Sequence, residues 1–153
     1  DMILSVSFEG TTWNHAPFKF EAGTPNISGV IGLGAAIGFI EEITTKTIAE
    51  HEHELLVYGT EVLKNIDSVK LVGTANEKAG ILSFTVNNVH PHDVGTILDN
   101  AGVAIRTGHH CAQPLLNRFG LNATCRASIS VYNTREDLDQ LGEAIQDAVR
   151  MLG

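Results

Sequence analysis

From Ala22 to Ile40 the chain carries no charged residue, and Gly29, Gly32, Gly34 and Gly38 punctuate the apolar part of that run. Such a stretch has few folded outcomes. Thr24, Pro25, Asn26 and Ser28 open it, which leaves about 14 apolar-type residues where a membrane-spanning helix needs roughly 20. A buried helix is expected instead, with Thr24 as N-cap and Pro25 at the first helical position, where a missing N–H costs nothing. Each glycine lowers helix propensity by about 1 kcal/mol relative to alanine. Four of them call for close backbone packing against another element or subunit.

The remainder alternates between helical and extended periodicity. Ile48, Leu55, Leu56, Val62, Leu63 and Ile66 form one stripe at helical spacing, predicting a helix over Thr47–Ile66 with its glutamates largely off the stripe. Ile3–Phe8 reads as an edge strand, Val69–Val72 as a short strand and Ile81–Val86 as a stronger one, ended by Asn87-Asn88. Pro91 opens a third helix that Gly102 closes. A strand over Val103–Arg106, a loop over Thr107–Cys111 and a short helix near Pro114–Phe119 follow. Arg126–Val131 alternates like a strand, and Thr134 with Asp137 three residues on caps a last helix. This order predicts an α+β fold, a small, mainly antiparallel sheet covered by helices. The abrupt Asp1 start reads as a cut from something longer.

A formal charge of −8, with five lysines and five arginines scattered along 153 residues, argues against a general role on nucleic acid or anionic membrane. Two cysteines make no disulfide framework and no signal peptide opens the chain, so a cytoplasmic location is expected.

Chemistry concentrates in Arg106-Thr107-Gly108-His109-His110-Cys111. A cysteine reacts as its thiolate, which nearby Arg or His favours in a partly exposed loop. The bland reading, a surface loop whose histidines cap strand ends, fits the spacing equally well. A zinc site fits poorly, because adjacent residues rarely wrap one tetrahedral ion; no metal is expected. Arg126 either grips a carboxylate through two parallel hydrogen bonds or makes an ordinary surface salt bridge, and its context alone leans to the latter. Cys125 reads as a small buried hydrophobe. His51-Glu52-His53-Glu54-Leu55 lacks the second histidine of the zinc-protease pattern and reads as a solvated helix face. His90 and His92 flank Pro91 in a capping role.

Three segments together resemble the cysteine desulfurases and selenocysteine lyases of the class V aminotransferase family. Phe20-Glu21-Ala22-Gly23-Thr24-Pro25 is similar to its FEAGTP segment, and Arg106–Leu115 to its RTGHHCAQPL loop. Arg126-Ala127-Ser128 with Tyr132-Asn133-Thr134 is similar to its RAS…YNT end. The extended loop resembles the group II, SufS/CsdA-like members. The resemblance implies the small C-terminal domain of a fold-type I enzyme that uses pyridoxal 5'-phosphate, with residues 27–153 as that domain and residues 1–26 as an interdomain segment, a remnant of the large cofactor-binding domain. It implies Cys111 as the nucleophile that takes sulfur from L-cysteine, leaving alanine and a persulfide, with His109 and His110 in support. Arg126 matches the residue that binds the substrate carboxylate, Arg106 a second active-site arginine, and Thr24 a contact to the cofactor phosphate of the other subunit of a homodimer.

None of Lys19, Lys46, Lys64, Lys70 or Lys78 matches the family's covalent lysine, so the chain by itself is expected to be inactive. The whole enzyme is expected to supply sulfur to a SufE- or SufU-like acceptor for iron–sulfur cluster assembly. Selenocysteine lyase or cysteine sulfinate desulfinase activity, and a stand-alone sulfur-docking module, are the competing expectations.

Overall fold

The computed structural model describes residues 2–153, which fall into two compact units, one up to Thr44 and one of residues 45–153. The first unit opens with an antiparallel hairpin of β1 (Ile3–Val6) and β2 (Thr11–Trp13), with the Ser5 and Thr12 hydroxyls 2.7 Å apart. A 3-10 turn at Phe18–Phe20 precedes α1 (Ile27–Ile43). The helix starts later than the Thr24-Pro25 pattern predicts. Asn26 is the N-cap and its Oδ1 accepts the Gly29 N–H at 3.0 Å, an Asx cap local enough to outcompete the threonine two residues upstream. The compact units divide at Thr44 rather than at residue 26, so α1 belongs with the N-terminal segment.

Helix α1 is exposed along its length, including Val30, Ile31 and Leu33. A Cβ placed on Gly32, Gly34 or Gly38 would meet no atom within 4 Å. The close packing expected at these glycines is absent among the described residues.

The second unit is a four-stranded antiparallel sheet, in the order β3-β4-β6-β5, with helices on one face. It runs α2 (Thr45–Lys64), β3 (Val69–Val72), β4 (Ile81–Val86), α3 (Pro91–Asn100), β5 (Arg106–Gly108), α4 (Gln113–Arg118), β6 (Thr124–Ser128) and α5 (Arg135–Leu152). Alternation along β4 sends Leu82, Phe84 and Val86 to the buried face and Ser83 and Thr85 to the other. The Leu55, Leu56 and Leu63 stripe of α2, Val94 and Leu98 of α3, and Leu138, Leu141 and Ile145 of α5 close over that face. Thr134 and Asp137 form the expected capping box, the Thr134 N–H donating to Asp137 Oδ2 at 3.0 Å.

Strand β5 lies further along than expected. It begins at Arg106, and Val103–Ile105 run beside β6 without pairing to it; a cavity of about 270 Å³ lies between these residues and Ala127–Ile129. His51 is not a solvated helix residue. Its Nε2 lies 3.0 Å from the Asn133 carbonyl and ties α2 to the turn before α5.

Candidate active site

The register of β5 on β6 organises the site. Arg106 pairs with Arg126, Thr107 with Cys125 and Gly108 with Thr124, while Ser83 of β4 pairs with Arg126 from the other side. Cross-strand partners share a face, so Ser83, Arg126 and Arg106 stand in a row on the face opposite the helices. Thr124 and Cys125 are fully buried and Ala127 is on the core side. Arg126 is half-buried, and its Nε is a buried donor with no hydrogen-bond partner. A buried donor without an acceptor costs free energy, and two guanidinium groups on paired positions repel. Both penalties are relieved by an anion such as a carboxylate.

Past Gly108 the chain turns back on itself. Gly108 has φ +120°, a region glycine enters freely, and His110 and Cys111 follow at φ +54° and +58°, where a side chain is disfavoured. The Ala112 N–H closes the turn on the His109 carbonyl at 2.9 Å, and α4 begins at Gln113. Cys111 is exposed, and Arg106 Nη2 lies 3.7 Å from its Sγ. Arg106, Thr107, His109, His110, Cys111 and Gln113 line one open cavity of about 430 Å³.

His109 is exposed, whereas His110 turns inward, its Nε2 2.9 Å from the Thr124 hydroxyl and 3.1 Å from the Thr124 carbonyl. Burial holds His110 below the usual histidine range, and Arg126 and Arg106 add to that shift. The other cysteine is inert: burial pushes the Cys125 thiol up to about 12, and it faces the Pro91 carbonyl at 3.6 Å. His90 caps α3, its Nδ1 accepting the His92 N–H at 3.2 Å.

The structure therefore brings Cys111, Arg106, Arg126, His109 and His110 together around one sheet edge. Thr24 sits exposed in the other unit, in the segment before α1. Two N–H groups at that helix start already have acceptors, Ile27 on the Pro25 carbonyl and Gly29 on Asn26. The Thr124 contact of His110 was missed by sequence reasoning, because nothing local links positions 14 residues apart. No group of three or more His, Cys, Asp or Glu among the described residues is placed to hold a metal ion. No single helix among them is long and apolar enough to cross a membrane.

An antiparallel sheet with a thiol on the loop after an arginine strand, beside a second arginine, defines a small α+β unit that presents an exposed cysteine next to two cross-strand arginines. The aminotransferase class-V family model matches residues 1–141, and the chain belongs to that family. It is 49% identical over its whole length to a probable cysteine desulfurase of Xylella fastidiosa, of which it covers 37%. Among solved structures it is similar to the Escherichia coli cysteine desulfurase CsdA, with a TM-score of 0.86 and 36% identity over 99% of this chain and 38% of that one. The Thermococcus onnurineus cysteine desulfurase gives a TM-score of 0.85 and 42% identity, over the same shares of the two chains. The chain thus spans little more than a third of the length of these relatives.

Proposed function

We propose that this chain supplies the sulfur-accepting thiol and the substrate-carboxylate site of a cysteine desulfurase that works with pyridoxal phosphate. One observation carries the proposal: Cys111 projects from an outward turn with Arg106 Nη2 3.7 Å from its Sγ, beside an arginine whose buried Nε awaits an acceptor. The residues present fit such chemistry unit by unit. Arg126 offers its unpaired donor to an amino-acid carboxylate. Thr24, in the other unit, offers an exposed hydroxyl to the cofactor phosphate of the other subunit. No lysine lines the Cys111 cavity, so the residues around Cys111 do not themselves supply the covalent lysine of such a site.

The chain's own steps follow from that placement. Arg126 binds and orients the carboxylate of L-cysteine, and Arg106 sets its guanidinium beside the Cys111 sulfur, Nη2 3.7 Å from Sγ. The Cys111 sulfur attacks the substrate sulfur. A sulfur–sulfur bond forms as the substrate carbon–sulfur bond breaks, and a proton on the released carbon completes alanine. Pyridoxal phosphate, when bound, supplies the electron sink for the bond changes at the substrate carbons. The persulfide on exposed Cys111 is accessible to a sulfur-acceptor protein of the SufE or SufU kind, serving iron–sulfur cluster assembly. The apolar surface of α1 suits a protein contact, as a homodimer of the whole enzyme requires. Two free cysteines suit a reducing cytoplasm.

The test is Cys111→Ala in the intact protein, with alanine formation from L-cysteine as the readout. Loss of about three orders of magnitude or more is expected where the nucleophile is removed. Full activity in that variant sinks the proposal.

A further inference from the structure

The turn that presents Cys111 is held in a conformation its residues disfavour. His110 and Cys111 are consecutive left-handed residues, neither of them Gly, Asn or Asp. A strained pair persists where the surroundings over-determine it. Two side-chain contacts tie the turn to the sheet. One is Arg106 to Cys111 Sγ, at 3.7 Å. The other is His110 to Thr124, which is shorter and anchored more deeply: Thr124 is 1% exposed and locked in register opposite Gly108.

The chemistry of that second contact assigns the ring. Nε2 lies within 3.1 Å of both the Thr124 carbonyl and its hydroxyl oxygen. A carbonyl only accepts, so Nε2 carries the hydrogen and donates. Nδ1 is then the unprotonated nitrogen, and it is buried without a partner. A ring whose free nitrogen is walled off from solvent cannot pass a proton to the cavity. His109 is exposed and lines the same cavity, whereas His110, its free nitrogen buried, is left with a mechanical task.

We propose that His110, through its donation to Thr124, is the positioning residue that holds the left-handed turn and thereby sets the Cys111 thiol beside Arg106. The inference rests on the reading of Cys111 as nucleophile for its functional consequence, but the tie itself is independent of that reading. Deletion of the tie frees residues 109–112 to relax, and Sγ leaves the arginine face while the fold of the sheet stays intact. Substrate binding at Arg126 is untouched, so kcat falls and KM does not.

Three variants of the intact protein separate the explanations. His110→Ala removes the donor. His110→Asn keeps a residue that tolerates positive φ but is too short to reach Thr124. His110→Gln places a donor near the Nε2 position. Amide hydrogen exchange at Ala112, whose N–H closes the turn, is expected to quicken about tenfold or more in the Ala and Asn variants and to recover in Gln. Exchange in β4, β6 and α5 stays unchanged. In parallel, kcat with L-cysteine drops about tenfold or more in Ala and Asn at constant KM and recovers in Gln. An Asn variant equal to wild type, a Gln variant no better than Ala, or faster exchange throughout the sheet overturns the proposal. Faster exchange confined to the turn with unchanged kcat overturns the positioning role. Activity retained in Cys111→Ala sinks the functional reading instead, and the exchange data still decide whether the tie exists.

Discussion

Arg106 and Arg126 are directly opposed residues of adjacent antiparallel strands. Like charges at paired positions destabilise a sheet, and here the penalty is compounded by the unpartnered Nε of Arg126. An anion bound beside the two guanidinium groups would relieve both penalties. In the intact enzyme, Arg126→Lys keeps the charge but loses the planar fork, and the KM for L-cysteine is expected to rise about tenfold to a hundredfold, with a smaller change in kcat. Steady-state kinetics across a cysteine titration checks the split.

The same pairing has a thermodynamic signature without substrate. Arg126→Met removes one like charge and one unsatisfied donor, so it is expected to leave stability within about 0.5 kcal/mol of wild type or to raise it. Added sulfate should raise the melting temperature of wild type and lose most of that effect in the Met variant. Thermal melts with and without sulfate give the answer; a large destabilisation by Met contradicts the reading of the pair as an anion-binding one.

Helix α3 reaches β5 through a glycine. A Cβ on Gly95 would sit 2.7 Å from Thr107 Cγ2, and a β-branched neighbour on a strand cannot easily rotate away. Gly95→Ala is therefore expected to destabilise by about 1–2 kcal/mol, overpacking outweighing the helix-propensity gain of about 1 kcal/mol. Adding Thr107→Ser deletes the clashing methyl and should restore most of the loss. Denaturant unfolding of the single and double variants tests this, and an absent rescue places the strain elsewhere.

How much of this was legible beforehand varies with range. The stripe of α2, the Pro91 start of α3 and the Thr134–Asp137 capping box of α5 follow local rules of spacing and capping, and the structure agrees with them. The start of α1 was misplaced because two neighbouring segments, Thr24-Pro25 and Asn26, each satisfy a cap rule, and only the Asn26–Gly29 hydrogen bond decides between them. Strand β5 was misplaced because apolar Val103–Ile105 look more strand-like than Arg106–Gly108. Pairing with β6, a non-local matter, selects the latter. The candidate thiol was visible as a local cluster of Arg, His and Cys. Its geometry was not, since the Arg106–Arg126 opposition and the His110–Thr124 contact depend on strand register, and no glycine or asparagine marks the left-handed turn at His110 and Cys111.

His110 also gives the fold a pH dependence with a definite sign. Its folded value lies below the ordinary 6.5 because burial disfavours the charged ring. The unfolded chain therefore binds the extra proton more readily, and stability is lost as pH falls from 6.5 toward the folded value. Above 6.5 the contribution is flat. The stability difference between wild type and His110→Gln is expected to be constant above about pH 7 and to shrink on acidification through the histidine range. Unfolding curves from pH 8 down to about 5 test it; a difference that grows on acidification reverses the sign and refutes the buried-neutral ring.

The contrast between the two cysteines has a practical side. Cys111 stands in solvent, while Cys125 is sealed in the core, its thiol pushed up to about 12 and turned toward a backbone carbonyl. A maleimide or iodoacetamide probe thus meets one reactive group in the native state and two once the core opens. Label stoichiometry read by mass becomes an intrinsic gauge of unfolding, and a fluorophore attached under native conditions lands at a single address beside Arg106.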